Sequence, residues 1–67
     1  MEKIIKIEGM MCPRCEARVK AALEALPQVK EAIPDREKNM ATVVLGEELP
    51  YEVLKACVQE QGYTVID

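Results

Sequence analysis

Apolar and polar positions alternate at the start of the chain. In KIIKIE, 3–8, Ile5 and Ile7 share one face and Ile4 takes the other, and Gly9 closes the run. Period two with β-branched residues predicts a strand. From Pro13 the period lengthens. Cys15, Val19, Ala22, Leu23 and Leu26 recur at helical spacing, with Glu16, Lys20 and Glu24 on the opposite side. This predicts an amphipathic helix that Pro13 opens and Pro27 stops. VKEAI, 29–33, reads as a short second strand, PDREKN, 34–39, as a charged turn, and MATVVL, 40–45, as a third strand with Ala41, Val43 and Leu45 on one face. Pro50 leads into a second helix, YEVLKACVQEQ, 51–61, with an apolar stripe of Val53, Leu54, Cys57 and Val58. Gly62 caps that helix, and YTVI, 63–66, is the last strand.

The order βαββαβ has one economical solution. Two βαβ halves with right-handed crossovers predict a four-stranded antiparallel sheet of order 4-1-3-2 with both helices on one face, the α+β ferredoxin-like sandwich. The second strand then lies at an edge, where Pro34 at its end is tolerated. No linker or repeat divides the chain, so residues 1–67 are expected to form a single domain. At this length one small core and one site are the most to expect. The core must be aliphatic, because Tyr51 and Tyr63 are the only aromatic residues.

A formal charge of −3 removes nucleic acid as a partner, since a phosphate-backbone footprint needs clustered Lys and Arg with stacking aromatics. No apolar run approaches the roughly 20 residues of a membrane span, and MEKIIKIEG lacks the apolar region of a signal peptide. Direct membrane insertion is therefore not expected, and the expected compartment is the cytoplasm. The acidic residues Glu31, Glu37, Glu47, Glu48 and Glu52 read as a solvated face with no pair set as a catalytic dyad.

The candidate chemistry is sulfur chemistry. The chain has no His, which removes the usual general base and the commonest metal ligand, but it has three Cys. Two of them stand in GMMCPRC, 9–15, between the first strand and the first helix. A helix N-terminus offers unpaired N–H groups and partial positive charge, which favour thiolate, and Arg14 between the two Cys adds to this. Three readings compete for Cys12 and Cys15. A structural zinc site needs four protein ligands, and only Cys57 remains to join the pair. A dithiol redox couple is the stronger rival, because CPRC resembles the CPxC of thioredoxin-like oxidoreductases. In those the motif usually follows an aromatic residue, however, whereas here it follows Met11. The third reading is a labile soft-metal site: two thiolates on an exposed loop suit a d¹⁰ ion of low coordination number, Cu(I) above all. Such an ion keeps open positions where a partner's thiolates attach before the first pair lets go.

GMMCPRC before a helix, the βαββαβ order and QGYTV near the end together resemble the heavy-metal-associated domain of copper chaperones and copper-transporting P-type ATPases, whose motif is GMxCxxC. The resemblance covers essentially the whole chain. It implies that Cys12 and Cys15 are the metal ligands, that Met10 packs inward beneath the loop, and that Gly62-Tyr63 faces the site. Tyr at 63 resembles bacterial cytosolic copper chaperones, whereas ATPase domains often have Phe there. The implied function is a Cu(I) chaperone, not an enzyme, that passes its ion by thiolate exchange to the heavy-metal-associated domain of a P-type ATPase or to a copper-responsive regulator. The alternatives are a regulatory domain of such an ATPase or, further off, a CxxC redox protein. Two copies sharing ions would make a metal-bridged homodimer.

Two departures bear on the metal. Met11 stands where the family commonly has Thr or Ser, replacing a hydroxyl with a thioether beside the thiols. The acidic residue that zinc- and cadmium-tuned relatives often carry before the first Cys is missing, which favours Cu(I) over Zn(II). Thiolate pairs also bind Ag(I), Hg(II), Cd(II) and Zn(II), and these stay as alternatives that cellular availability decides among. Arg14 offsets the charge of a bis-thiolate complex, meets an acidic partner or is simply solvated. Cys57, on the apolar stripe of the second helix, reads as a small buried hydrophobe.

Overall fold

The computed structural model describes residues 1–66, in which six elements follow one another: β1 (Glu2–Glu8), α1 (Pro13–Glu24), β2 (Val29–Asp35), β3 (Met40–Leu45), α2 (Tyr51–Glu60) and β4 (Thr64–Ile66). The strands form one antiparallel sheet in the order β2-β3-β1-β4, the expected 4-1-3-2 order read from the other edge. Alternation along the strands decides which face is covered. Ile5 and Ile7 of β1, Ala41, Val43 and Leu45 of β3 and Val65 of β4 are buried, and the core closes over them with Val19 and Leu23 of α1 and Leu54 and Val58 of α2. Ile4 lies on the open face, 57% exposed. The core is wholly aliphatic apart from Met10, and the two tyrosines pack at its margin.

Two details depart from the pattern read along the chain. Val53 is 38% exposed, so the buried stripe of α2 is Leu54 and Val58 with Cys57 half-buried beside them. Val53 instead lines an outer groove with Leu26, Ala56 and Cys57. Second, β2 runs on through Pro34 to Asp35. Pro34 interrupts nothing, because it shares the outward direction of Ala32 two residues earlier, and β2 is an edge strand with β3 as its only partner.

That outer edge is covered by side chains. Lys20 Nζ donates to the Ala32 carbonyl at 2.9 Å, the Ala32 N–H donates to Glu24 Oε2 at 3.0 Å, and the Arg36 N–H donates to Glu16 Oε2 at 2.8 Å. Glu16, Lys20 and Glu24 were expected on the solvent side of α1; they lie against β2 instead. Helix α1 leans over the strand, and these long side chains reach main-chain groups that no further strand satisfies. Side chains bound to an edge in this way, with Pro34 on it, hinder its pairing with another chain.

The same topology gathers three connections at one end of the sheet. The Ile7 N–H donates to the Asn39 carbonyl at 2.7 Å, bringing the β2–β3 turn beside the end of β1, and Glu8 pairs with Thr64, bringing the α2–β4 connection to its other side. The loop from β1 to α1 rises between them. Gly9 opens it at φ 102, a backbone conformation that other residues reach only under strain.

Candidate metal centre

Local backbone chemistry sets the loop. Met10 is 3% exposed and anchors it from below as part of the core, whereas Met11, one residue on, is 83% exposed at its tip. Cys12 is the N-cap of α1 with an extended backbone and no side-chain capping bond, and Pro13 starts the helix. The Cys12 carbonyl accepts the Cys15 N–H at 3.0 Å and the Glu16 N–H at 3.3 Å, closing the first turn. These constraints bring the two sulfurs to 3.5 Å, each partly accessible.

Cys15 is the better held of the two. Its thiol is lowered to about 7, first by the hydroxyl of Tyr63, which donates to it, then by the main chain of Met11 and the thiol of Cys12. The same contact pushes the Tyr63 hydroxyl up, because an anionic phenolate beside Cys15 loses its hydrogen bond and gains a repulsion. The ring of Tyr63 lies against the loop start: a Cβ on Gly9 would stand 3.4 Å from Tyr63 Cδ1. Tyr63 therefore braces both ends of the motif, the glycine and the second cysteine.

Arg18 is an addition that the sequence did not disclose. Its guanidinium stands near the Tyr63 hydroxyl and counters the upward push on the phenol, first by its charge. The available signal was spacing, since Arg18 is three residues after Cys15 and so lies on the same helix face. Arg14, between the cysteines, is exposed.

Cys57 stands apart from the pair. Its thiol donates to the Ala22 carbonyl at 3.1 Å, tying α2 to α1, and burial pushes its pKa up. The small-hydrophobe reading thus gains a polar element, a single bond across the helix pair. Among the described residues no set of three or more His, Cys, Asp and Glu side chains is arranged to hold a metal ion. The motif presents two sulfurs, which is too few for a closed structural zinc site. It suits an ion that accepts low coordination.

Fold and motif converge on a small class of soft-metal domains, and the comparisons agree. Residues 4–64 match the heavy-metal-associated domain, and the chain belongs to that family. Three similar proteins illustrate its range. The copper chaperone CopZ of Staphylococcus epidermidis is 37% identical over 65 residues, 96% of each chain. Mercuric reductase of Serratia marcescens is 41% identical over 59 residues, 88% of this chain but 13% of the reductase. Copper-transporting ATPase 2 of Rhizobium meliloti is 37% identical over 60 residues, 88% of this chain and 7% of the ATPase. Among solved structures, a CopZ metallochaperone superposes with a TM-score of 0.92 at 27% identity, covering 98% of this chain and 100% of the other. No helix among the described residues is long and apolar enough to cross a membrane.

Proposed function

We propose that residues 1–67 form a single cytoplasmic domain that carries one soft ion, Cu(I) in first place, between the thiolates of Cys12 and Cys15. The observation that carries this reading is the sulfur pair itself, 3.5 Å apart and partly accessible at a helix N-terminus. Two thiolates bind a d¹⁰ ion without enclosing it. The unfilled positions admit the sulfurs of a second site, so the ion changes hands through shared coordination and is never released to water. The reaction is a ligand exchange in which no covalent bond of the protein forms or breaks. Met10 holds the loop from the core, Tyr63 donates to Cys15, and Met11 and Arg14 flank the mouth.

The receiving site in this reading is a like domain, either on a copper-transporting P-type ATPase or on a copper-responsive regulator. The similarity to both a free copper chaperone and a segment of a copper-transporting ATPase supports an exchange between equals. Two loaded copies meeting face to face would form a metal-bridged homodimer by the same chemistry. A second reading, delivery of Hg(II), is favoured by the 41% identity to mercuric reductase and by the liking of Hg(II) for two thiolates.

Titrating the reduced protein with Cu(I) in the presence of a Cu(I) chelator tests the reading. One ion per chain, held against the chelator and passed on to a second heavy-metal-associated domain, supports it. Weak binding of Cu(I) together with tight binding of Hg(II) would select the mercury reading.

A further inference from the structure

The two sulfurs are not equivalent in how they are held, and a carboxylate beside Cys15 adds to the difference. An ion bonded in line to both thiolates, at roughly the 2.3 Å of a metal–thiolate bond, would hold them about 4.6 Å apart, so a pair resting at 3.5 Å would open by roughly 1 Å to grip it in that way. Cys12 lies in the loop, outside the helix. Cys15 lies inside the first turn, and the next residue, Glu16, accepts the Arg36 N–H at 2.8 Å, with the Arg36 guanidinium 3.8 Å from its other oxygen. Arg36 follows directly on β2, so this contact fastens the first turn of α1 to the sheet. Cys15 is also met by Tyr63.

We propose that Glu16 is a positioning residue for Cys15: by accepting the Arg36 N–H it fixes the first turn of α1 against the end of β2, so that the sulfur pair opens by moving Cys12. The proposal rests on the reading of Cys12 and Cys15 as ligands. One turn further along, Lys20 makes a comparable contact with the same strand, at Ala32. That contact lies five residues past Cys15 and serves as the internal control, because it holds helix to strand without holding the turn that carries the thiol.

The test uses Glu16→Ala, Glu16→Gln and Lys20→Ala in the full chain, reduced, with two readouts. The first is amide hydrogen exchange of residues 15–18 in the metal-free protein; the second is Cu(I) affinity by chelator competition. Glu16→Ala should speed the exchange about tenfold and weaken Cu(I) binding about tenfold, the usual cost of losing an outer partner of a metal ligand. Glu16→Gln keeps an acceptor for the Arg36 N–H and should stay near wild type in both. Lys20→Ala should lower the urea midpoint yet leave both readouts within twofold.

Four results overturn the proposal: unchanged affinity in Glu16→Ala whatever the exchange does, weaker affinity without faster exchange, an equal loss of affinity in Lys20→Ala, or a Glu16→Gln variant as impaired as Glu16→Ala. The last would show that the charge at the helix start matters and the tether does not. If the metal reading itself is wrong, the unmutated protein fails to bind Cu(I), and this is seen before any variant is compared.

Discussion

The Sγ atoms of Cys12 and Cys15 stand 3.5 Å apart, joined through the hydrogen bond from the Cys15 N–H to the Cys12 carbonyl, with Cys57 elsewhere in the fold. Two free thiols this close also form a disulfide readily when an oxidant takes up their electrons and protons. Treating the metal-free protein with diamide should therefore consume two of its three thiols. The third, Cys57, half-buried and with its pKa pushed up, should react more slowly than the pair in the folded protein and speed up on unfolding. Thiol counts before and after the addition of urea check this, and a reductant should restore the pair.

Reactivity within the pair should depend on pH in a definite direction. The thiolate is the reactive form, so alkylation of Cys15 should be slow in acid, rise through a midpoint near pH 7 and level off above it. Tyr63 is the largest cause of that low value, so Tyr63→Phe should move the midpoint upward, toward that of an ordinary thiol. Site-resolved mass spectrometry after short pulses of iodoacetamide gives both midpoints.

The covered edge of β2 gives a second pH dependence. Lys20 donates to Glu24 Oε2 at 2.8 Å, and the Ala32 N–H donates to the same oxygen, so the Glu24 carboxyl is held below the usual carboxylate range, first by Lys20. A lowered carboxyl contributes stability that is present above the unfolded value of about 4.3 and is lost as pH falls through the lower folded value. The urea midpoint should therefore fall in acid. Glu24→Gln should be less stable than wild type at neutral pH and less sensitive to acid.

Alternation along the strands and helices predicts which truncations matter. Leu54 is fully buried between α2 and the sheet, and Leu54→Ala should cost about 2–5 kcal/mol, a large share of what a domain this small holds. Ile4, one residue from the fully buried Ile5, faces solvent, and Ile4→Ala should change stability by about 0.5 kcal/mol or less. Urea unfolding followed by circular dichroism separates the two.

Period was the legible part of this fold. The switch from alternation in β1 to helical spacing after Pro13 carried the element order, and the odd and even faces of MATVVL carried the sheet's sidedness. Relations across elements were harder to see. Glu16, Lys20 and Glu24 follow the spacing of a solvent face, and nothing in one chain read end to end says that β2 will present Ala32 and Arg36 to them. Val53 was misplaced for a related reason: beside Leu54 on a helix, the boundary of the buried arc depends on how the helix is turned. The sulfur pair was visible because CxxC at a strand-to-helix turn fixes its own geometry locally. Tyr63 is named by the resemblance alone, and Arg18 is marked by no motif: three residues after Cys15, it has the spacing of any exposed helix charge, and only the fold brings it to Tyr63.

The claim on which the account depends most is that Cys12 and Cys15 together, without Cys57, hold the ion. Cu(I) affinity measured by chelator competition on the reduced wild type, Cys12→Ser, Cys15→Ser and Cys57→Ala tests it directly. Tight binding of one ion by wild type and Cys57→Ala, with loss of that binding in each of the other two, is the predicted result. Unchanged affinity in Cys12→Ser or Cys15→Ser would contradict it.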